Sequence, residues 1–358
     1  MMGREFMDAT PGGGRMHTYR QPSALRLVEV VFALVMGLAL ALGAMLSAAQ
    51  AAPIGGLKQF RVPTDNSQPR HITVGSDGNL WFTEGNEIFT PDPETGGTFH
   101  NQIGRITHAG QIAEFRAEGC QCLLNDIVQG PNDILYFTTN NQGLGRIRTS
   151  GEVLPTVEPG NSNALGNGVA AHGDAVWYTD FNNNSLWRYD VTDDQFTRYT
   201  VPTPGANPFD VTVASDGTVW FTEFHADQIG RLDPATGAIA ETAVSSGPRH
   251  IAIASDGKVW FTERFTPEAI GRLDPSNNEV TEFPTPGVGP EDIAAAPDGT
   301  MWFTQSIAGN IARITPDGTI SEGRSVKNSE PFGITIGPGG NPWYTMLEAN
   351  KFATLQLR

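Results

Sequence analysis

The stretch PRHIAIASDGKVWFTERFTPEAIGRLDPSNNEVTEFP, from Pro248 to Pro284, carries the fold in miniature. Ile251–Ala254 reads as a short strand, and Ser255-Asp256-Gly257 as a tight turn in which Gly tolerates positive φ. Val259–Thr262 is a second strand, rich in β formers; Ile270–Leu273 is a third and Glu279–Phe283 a fourth. The same pattern recurs along the chain. The W-[FY]-T triplet or its variant starts at Trp81, Tyr136, Trp177, Trp220, Trp260, Trp302 and Trp343. The spacing is 40–43 residues, apart from 55 between the first two. A second signature, I-G-R-[IL] or a degenerate form, follows each, from Ile103, Leu144, Leu186, Ile229, Ile270, Ile311 and Phe352. A four-stranded unit repeating at about 42 residues is a propeller blade, so the spacing predicts an all-β, seven-bladed β-propeller.

Two irregularities refine this expectation. The first repeat holds an insertion near 88–100, whose Pro91, Pro93, Gly96 and Gly97 predict a surface loop. The last repeat ends after its third strand. Leu57-Lys58-Gln59-Phe60 resembles a fourth strand, so an N-terminal strand is expected to complete the last blade and close the ring. Composition agrees: 41 Gly and 25 Pro in 358 residues, with 17% charged, suit short strands and turns better than helical bundles. The recurring Trp and Phe read as packing between blades, and the Arg of I-G-R-[IL] as structural. A net charge of -16 makes nucleic acid a poor partner and leaves a cation or an uncharged ligand easier to accommodate; a small molecule or another extracellular ligand is the expected partner.

The first 52 residues read separately. A polar segment with Arg4, Arg15, Arg20 and Arg26 precedes an apolar run from Val30 to Leu46, and Ser47-Ala48-Ala49-Gln50-Ala51 follows. This is the order of a signal peptide with cleavage near Ala51, which leaves residues 53–358 as the propeller, secreted or periplasmic, with no stable membrane insertion. An uncleaved segment would instead anchor the chain in a membrane. Cys120 and Cys122, in Cys-Gln-Cys, could close a small ring or remain thiols.

The units P-x-x-I-x-x-x-x-D-G-x-x-W-F-T-E and I-G-R-[IL], with a following E-[FY]-P strand, resemble the streptogramin B lyase (virginiamycin B lyase-like) family across residues 57–358. That resemblance implies a monomeric propeller whose central cavity binds magnesium. It also implies a carbon–oxygen lyase that opens a cyclic depsipeptide by elimination, with a His removing a proton beside a carbonyl while the metal stabilises the enolate. The family's E-P-H-G is here Glu330-Pro331-Phe332-Gly333: the metal Glu matches Glu330, but Phe332 stands where the base belongs. Leu347 stands at the second metal Glu. Glu348 follows it, one residue further along a strand and therefore expected on the opposite face. Glu291 stands at the family's substrate-binding His.

Other candidates come from equivalence around the ring. The residues just before the apolar position of each first strand are His71, Asp126, Gly168, Asp210, His250, Asp292 and Gly333. Imidazole and carboxylate at one mouth would suit a divalent cation, magnesium or another, with His71 and His250 as candidate catalytic groups and Asp126, Asp210 and Asp292 as candidate ligands. The same residues would equally serve as caps of backbone N–H groups. Glu84, Asp180, Glu223 and Glu263, which follow the aromatic triplet, are a further acidic set expected on that face. Asn125, Asn167 and Asn207 also sit near strand starts, where they would serve as channel ligands like those of metal-dependent lactonases or equally as ordinary turn residues. Three functions follow: a lyase-like enzyme, a lactonase-like hydrolase, or a non-enzymatic binding or scaffold propeller outside the cytoplasmic membrane.

Overall fold

In the computed structural model the described residues are 55–85, 89–90, 98–99, 101–117, 122–140, 143–160 and 165–357. They belong to one compact unit, Pro53–Arg358. The signal-peptide expectation and Cys120 lie outside them. So does most of the 88–100 insertion, of which two two-residue strands, Phe89–Thr90 and Thr98–Phe99, pair with each other. Cys122 is buried and disulfide-bonded.

Seven four-stranded antiparallel sheets form the blades of a β-propeller, and the described residues contain no helix. The innermost strands are Pro69–Val74, Leu124–Gln129, Gly166–His172, Pro208–Val213, Pro248–Ile253, Pro290–Ala295 and Pro331–Ile336, for blades 1 to 7. Each contacts its two neighbours, including blade 7 with blade 1. The expected closure is present. Gly56–Arg61 runs antiparallel to Lys351–Gln356 as the outer strand of blade 7, with Leu57 opposite Leu355 and Phe60 opposite Phe352.

The repeated motifs have distinct physical jobs. The Phe of the aromatic triplet lies across the Gly of I-G-R-[IL] on the next strand: a Cβ on Gly104 would meet the Phe82 ring at 1.8 Å, and one on Gly271 would meet Phe261 at 2.1 Å. The Arg one residue on stacks over the Trp, as in Arg105–Trp81, Arg231–Trp220 and Arg272–Trp260, each 5.4 Å from ring centroid to guanidinium. The apolar faces of successive blades meet in buried clusters such as Trp260 and Ile270 with Ile293, Met301 and Phe303.

The Thr of the triplet joins the blades at the hub. Every inner strand carries a bulge, two residues long on the inner side, after its first residue. The bulge turns one N–H away from the sheet ladder. In blade 5 the His250 N–H donates to Thr262 Oγ1 at 3.1 Å, and the Thr262 hydroxyl donates onward to the Glu291 carbonyl of blade 6 at 2.8 Å. Thr83, Thr138, Thr179, Thr222, Thr304 and Thr345 do the same, each accepting from its own blade and donating to the next. The last link runs from Thr345 to the Arg70 carbonyl, so the relay closes. All seven Thr side chains are fully buried.

A buried hydroxyl that both accepts and donates cannot be replaced by a methyl without orphaning two backbone groups. Thr262→Val is expected to lower unfolding stability by about 2–4 kcal/mol. Thr262→Ser should cost under about 1.5 kcal/mol, because it keeps both bonds. Denaturant melts of the two variants check this, and equal losses would contradict the relay.

Candidate functional site

The bulges aim two rings of side chains at the propeller axis. The second bulge position supplies His71, Asp126, Asp210, His250 and Asp292, with Gly168 and Gly333 completing the seven. Glycine is required at Gly168, where a Cβ would sit 2.3 Å from Asp210 Oδ1, and at Gly333, where it would sit 2.4 Å from the Arg70 carbonyl. The five polar side chains converge. His71 Nδ1 lies 3.5 Å from Asp126 Oδ1 and 3.7 Å from Asp292 Oδ2. His250 Nδ1 lies 3.4 Å from Asp210 Oδ2 and 3.6 Å from Asp292 Oδ1. The two imidazoles are 5.0 Å apart between centroids.

The three aspartates also clamp the backbone. Asp126 accepts from its own Ile127 N–H at 2.7 Å and from Val169 N–H of blade 3 at 2.9 Å. Asp210 bridges Val211 and Ile251 in the same way, and Asp292 bridges Ile293 and Ile334. Burial pulls the His71 imidazole down, but Asp126 and Asp292 outweigh it and carry its pKa up to about 8. Burial pushes Asp126 up to about 6 against the pull of His71. Burial also opposes ionisation of Asp292, yet His250 and His71 hold it below the usual carboxylate range.

The first bulge position forms the mouth above this hub. A cavity of about 260 Å³ there is lined by Arg70, His71, Asn125, Asn167, Phe209, Arg249, His250 and Phe332, among others. Phe332 meets His71 edge-on at 5.2 Å and Phe209 meets His250 at 5.3 Å. The Arg249 guanidinium lies 4.8 Å from the Phe209 centroid and 6.0 Å from that of Phe332, while Arg70 lies 5.6 Å from Phe332. Glu291 is buried and paired with Arg249 at 2.7 Å and Arg264 at 3.3 Å. This arginine–phenylalanine lining was not anticipated from the sequence; the twice-repeated Pro-Arg-His-Ile was its only trace. Asn125 and Asn167 reach the cavity, whereas Asn207 turns away and donates to the Phe181 carbonyl at 2.9 Å.

Glu330 lies beside a second, larger cavity of about 720 Å³, shared with Arg264, Ser306, Ser325, Ser329 and Glu348. The expectation that Glu348 faces away is corrected. The strand ends at Met346 and Leu347–Asn350 is a turn, so strand alternation does not apply. Burial, then Glu348, raises the Glu330 pKa. Glu330 sits at a φ of 46°, the left-handed turn that Gln68, Asn207, Gly247 and Gly289 also adopt before their prolines. For Glu, as for Gln68, that conformation is strained.

The other acidic set is also corrected. Glu84, Glu223, Glu263 and Asp180 line no open face; all are buried. Burial and then a second Glu on the outer strand (Glu114, Glu241 or Glu282) push Glu84 up to about 9, Glu223 to about 8 and Glu263 to about 7.

The model of the virginiamycin B lyase family matches residues 47–244 and 169–358. A virginiamycin B lyase from Nocardia farcinica is 29% identical over 153 residues, 42% of this chain and 48% of that protein, so the match spans about half of the curated relative. A streptogramin B lyase structure superposes with a TM-score of 0.76 at 27% identity, covering 85% of this chain and 98% of the other. The virginiamycin B lyase of Staphylococcus aureus gives 0.74 at 28%, covering 85% and 99%. A catalytically inactive His-to-Ala variant of it, with quinupristin, gives 0.73 at 28%, again covering 85% and 99%.

Two measurements check this electrostatic picture. His71, Asp126, Glu84, Glu223 and Glu263 all have folded pKa values above their unfolded ones, so between the two values the native state holds more protons and stability falls as pH rises. The melting temperature is therefore expected to decline steadily from pH 5 to pH 9, and Glu84→Gln should flatten the decline; a rise over that range would refute the assignment. Glu330→Gly is expected to raise stability by roughly 1 kcal/mol by relieving the left-handed strain, read by denaturant melts.

Proposed function

The chain belongs to the virginiamycin B lyase family, and from that premise we propose that it is an extracytoplasmic small-molecule-binding propeller that does not perform the family's elimination. The observation that carries this reading is Phe332. An elimination needs a base within hydrogen-bond reach of the proton it removes. Phe332 offers a ring at that position, packed on His71 and flanked by Arg70 and Arg249. The nearest imidazoles, His71 and His250, point Nδ1 at buried carboxylates instead.

The family's magnesium fares no better on the donor set. Its second carboxylate position is Leu347. Glu348, though near Glu330, is exposed, and the shared cavity already contains the Arg264 guanidinium. These residues do not fit a two-carboxylate magnesium site, and no step is derived through one. What remains supports binding. Two phenylalanine faces and the arginines stacked on them favour a planar group, with Asn125 and Asn167 as hydrogen-bonding partners. A lactonase-like reading draws on the same two histidines and predicts ring hydrolysis instead of retention.

Incubation with quinupristin, followed by liquid chromatography and tandem mass spectrometry, separates these readings, because ring opening by elimination gives a linear isomer of unchanged mass that differs in retention and fragmentation. Unchanged retention and cyclic fragmentation are expected after prolonged incubation with magnesium, with quinupristin binding weakened about tenfold in Arg249→Ala. A linear isomer of the same mass would overturn the proposal, and a product heavier by one water would establish the hydrolase.

A further inference from the structure

We infer that the propeller axis is a binding site for one borderline divalent transition metal ion, such as zinc or cobalt, held by His71, His250 and Asp292, with Asp126 and Asp210 at its flanks. This inference is independent of the ligand reading above.

The distances argue for it first. Charge-assisted hydrogen bonds between imidazole and carboxylate close to about 2.7–2.9 Å. The four separations at the hub run from 3.4 to 3.7 Å, and all four involve Nδ1. Two donors bound to one tetrahedral zinc, at about 2.0–2.2 Å each, stand about 3.3–3.5 Å apart. The hub therefore has the spacing of ligands around an ion. One donor atom each from His71, His250 and Asp292 fits within 4.8 Å of the others.

Charge balance argues for it second. Three carboxylates, their side chains only 10–17% exposed, face two imidazoles. Buried charge is costly without compensation, and the backbone N–H groups clamped by the aspartates supply only partial dipoles. With both imidazoles neutral, as metal ligation requires, a dication offsets two of the three carboxylate charges. The lone pairs left on the carboxylate oxygens after each accepts one N–H are free to face it.

Donor chemistry is the third argument. Mixed imidazole and carboxylate donors select zinc, cobalt or nickel over magnesium and calcium, which prefer oxygen alone. Such an ion would tie blade 1 to blades 5 and 6, to which the Thr relay joins it only through intervening blades.

The test uses the full-length chain, stripped with EDTA and titrated with zinc or cobalt by calorimetry, with magnesium as the comparison. One zinc or cobalt per chain is expected, the cobalt form showing the intense visible bands of a four-coordinate ion and melting several degrees higher. His71→Gln and His250→Gln should each weaken binding at least about tenfold, with unchanged circular dichroism, while Glu330→Gln leaves it intact. Absence of saturable binding to the wild-type chain overturns the inference, and that readout does not depend on any variant folding. Binding that survives both His variants but is lost in Glu330→Gln overturns it as well, because the ion then sits in the outer cavity.

Discussion

Seven threonine hydroxyls, each accepting from one blade and donating to the next, hold the ring at its axis. Every other feature of the hub depends on them. The inner-strand bulge exposes an N–H that the sheet cannot satisfy, and the hydroxyl takes it up. Because the same hydroxyl fixes the neighbouring carbonyl, the bulge of one blade is set in register against the next. This register is what brings His71, Asp126, Asp210, His250 and Asp292 to one point. The aspartates then repeat the device with ionic strength, each spanning two adjacent inner strands.

The fold could be read from the chain because a repeat multiplies weak signals. A single W-F-T is only a strand; seven at even spacing are a propeller, and the odd strand at Leu57–Phe60 then has one place to go. The hub was partly readable by the same route, since equivalent positions in a ring must meet at its axis. Glu84 and Glu223 were misplaced because repeat position gives depth along a strand without showing whether a neighbouring blade covers it. Glu348 was misplaced because alternation was carried past Met346, where the strand stops. The Arg249–Phe209–Phe332 lining occupies one equivalent position in three blades, but without knowledge of the bulge that position reads as a strand residue facing away from the axis.

The symmetry breaks where chemistry is concentrated. Five blades place His or Asp at the axis, but blades 3 and 7 place Gly168 and Gly333, and at both a side chain would collide with the adjoining blade. The mouth is more irregular still, running Arg70, Asn125, Asn167, Phe209, Arg249, Glu291 and Phe332 from blade 1 to blade 7. In blade 7 Glu330 holds a left-handed backbone, and Phe332 and Leu347 stand where the resemblance to the lyases implies a base and a second carboxylate. The mouth of this family scaffold is lined by aromatic and guanidinium groups.

The pairing of Gly56–Arg61 with Lys351–Gln356 also sets a timetable. The first strand of the propeller to leave the ribosome is the last to find its partner, which is made about 300 residues later. Until then Leu57 and Phe60 have no blade to enter, and the inner strand of blade 1 lacks its neighbour in blade 7. Blades 2 to 6 can stack as they emerge, because each needs only the one before it. The nascent chain is thus an open arc with two sticky ends, and only its final residues convert it into a ring.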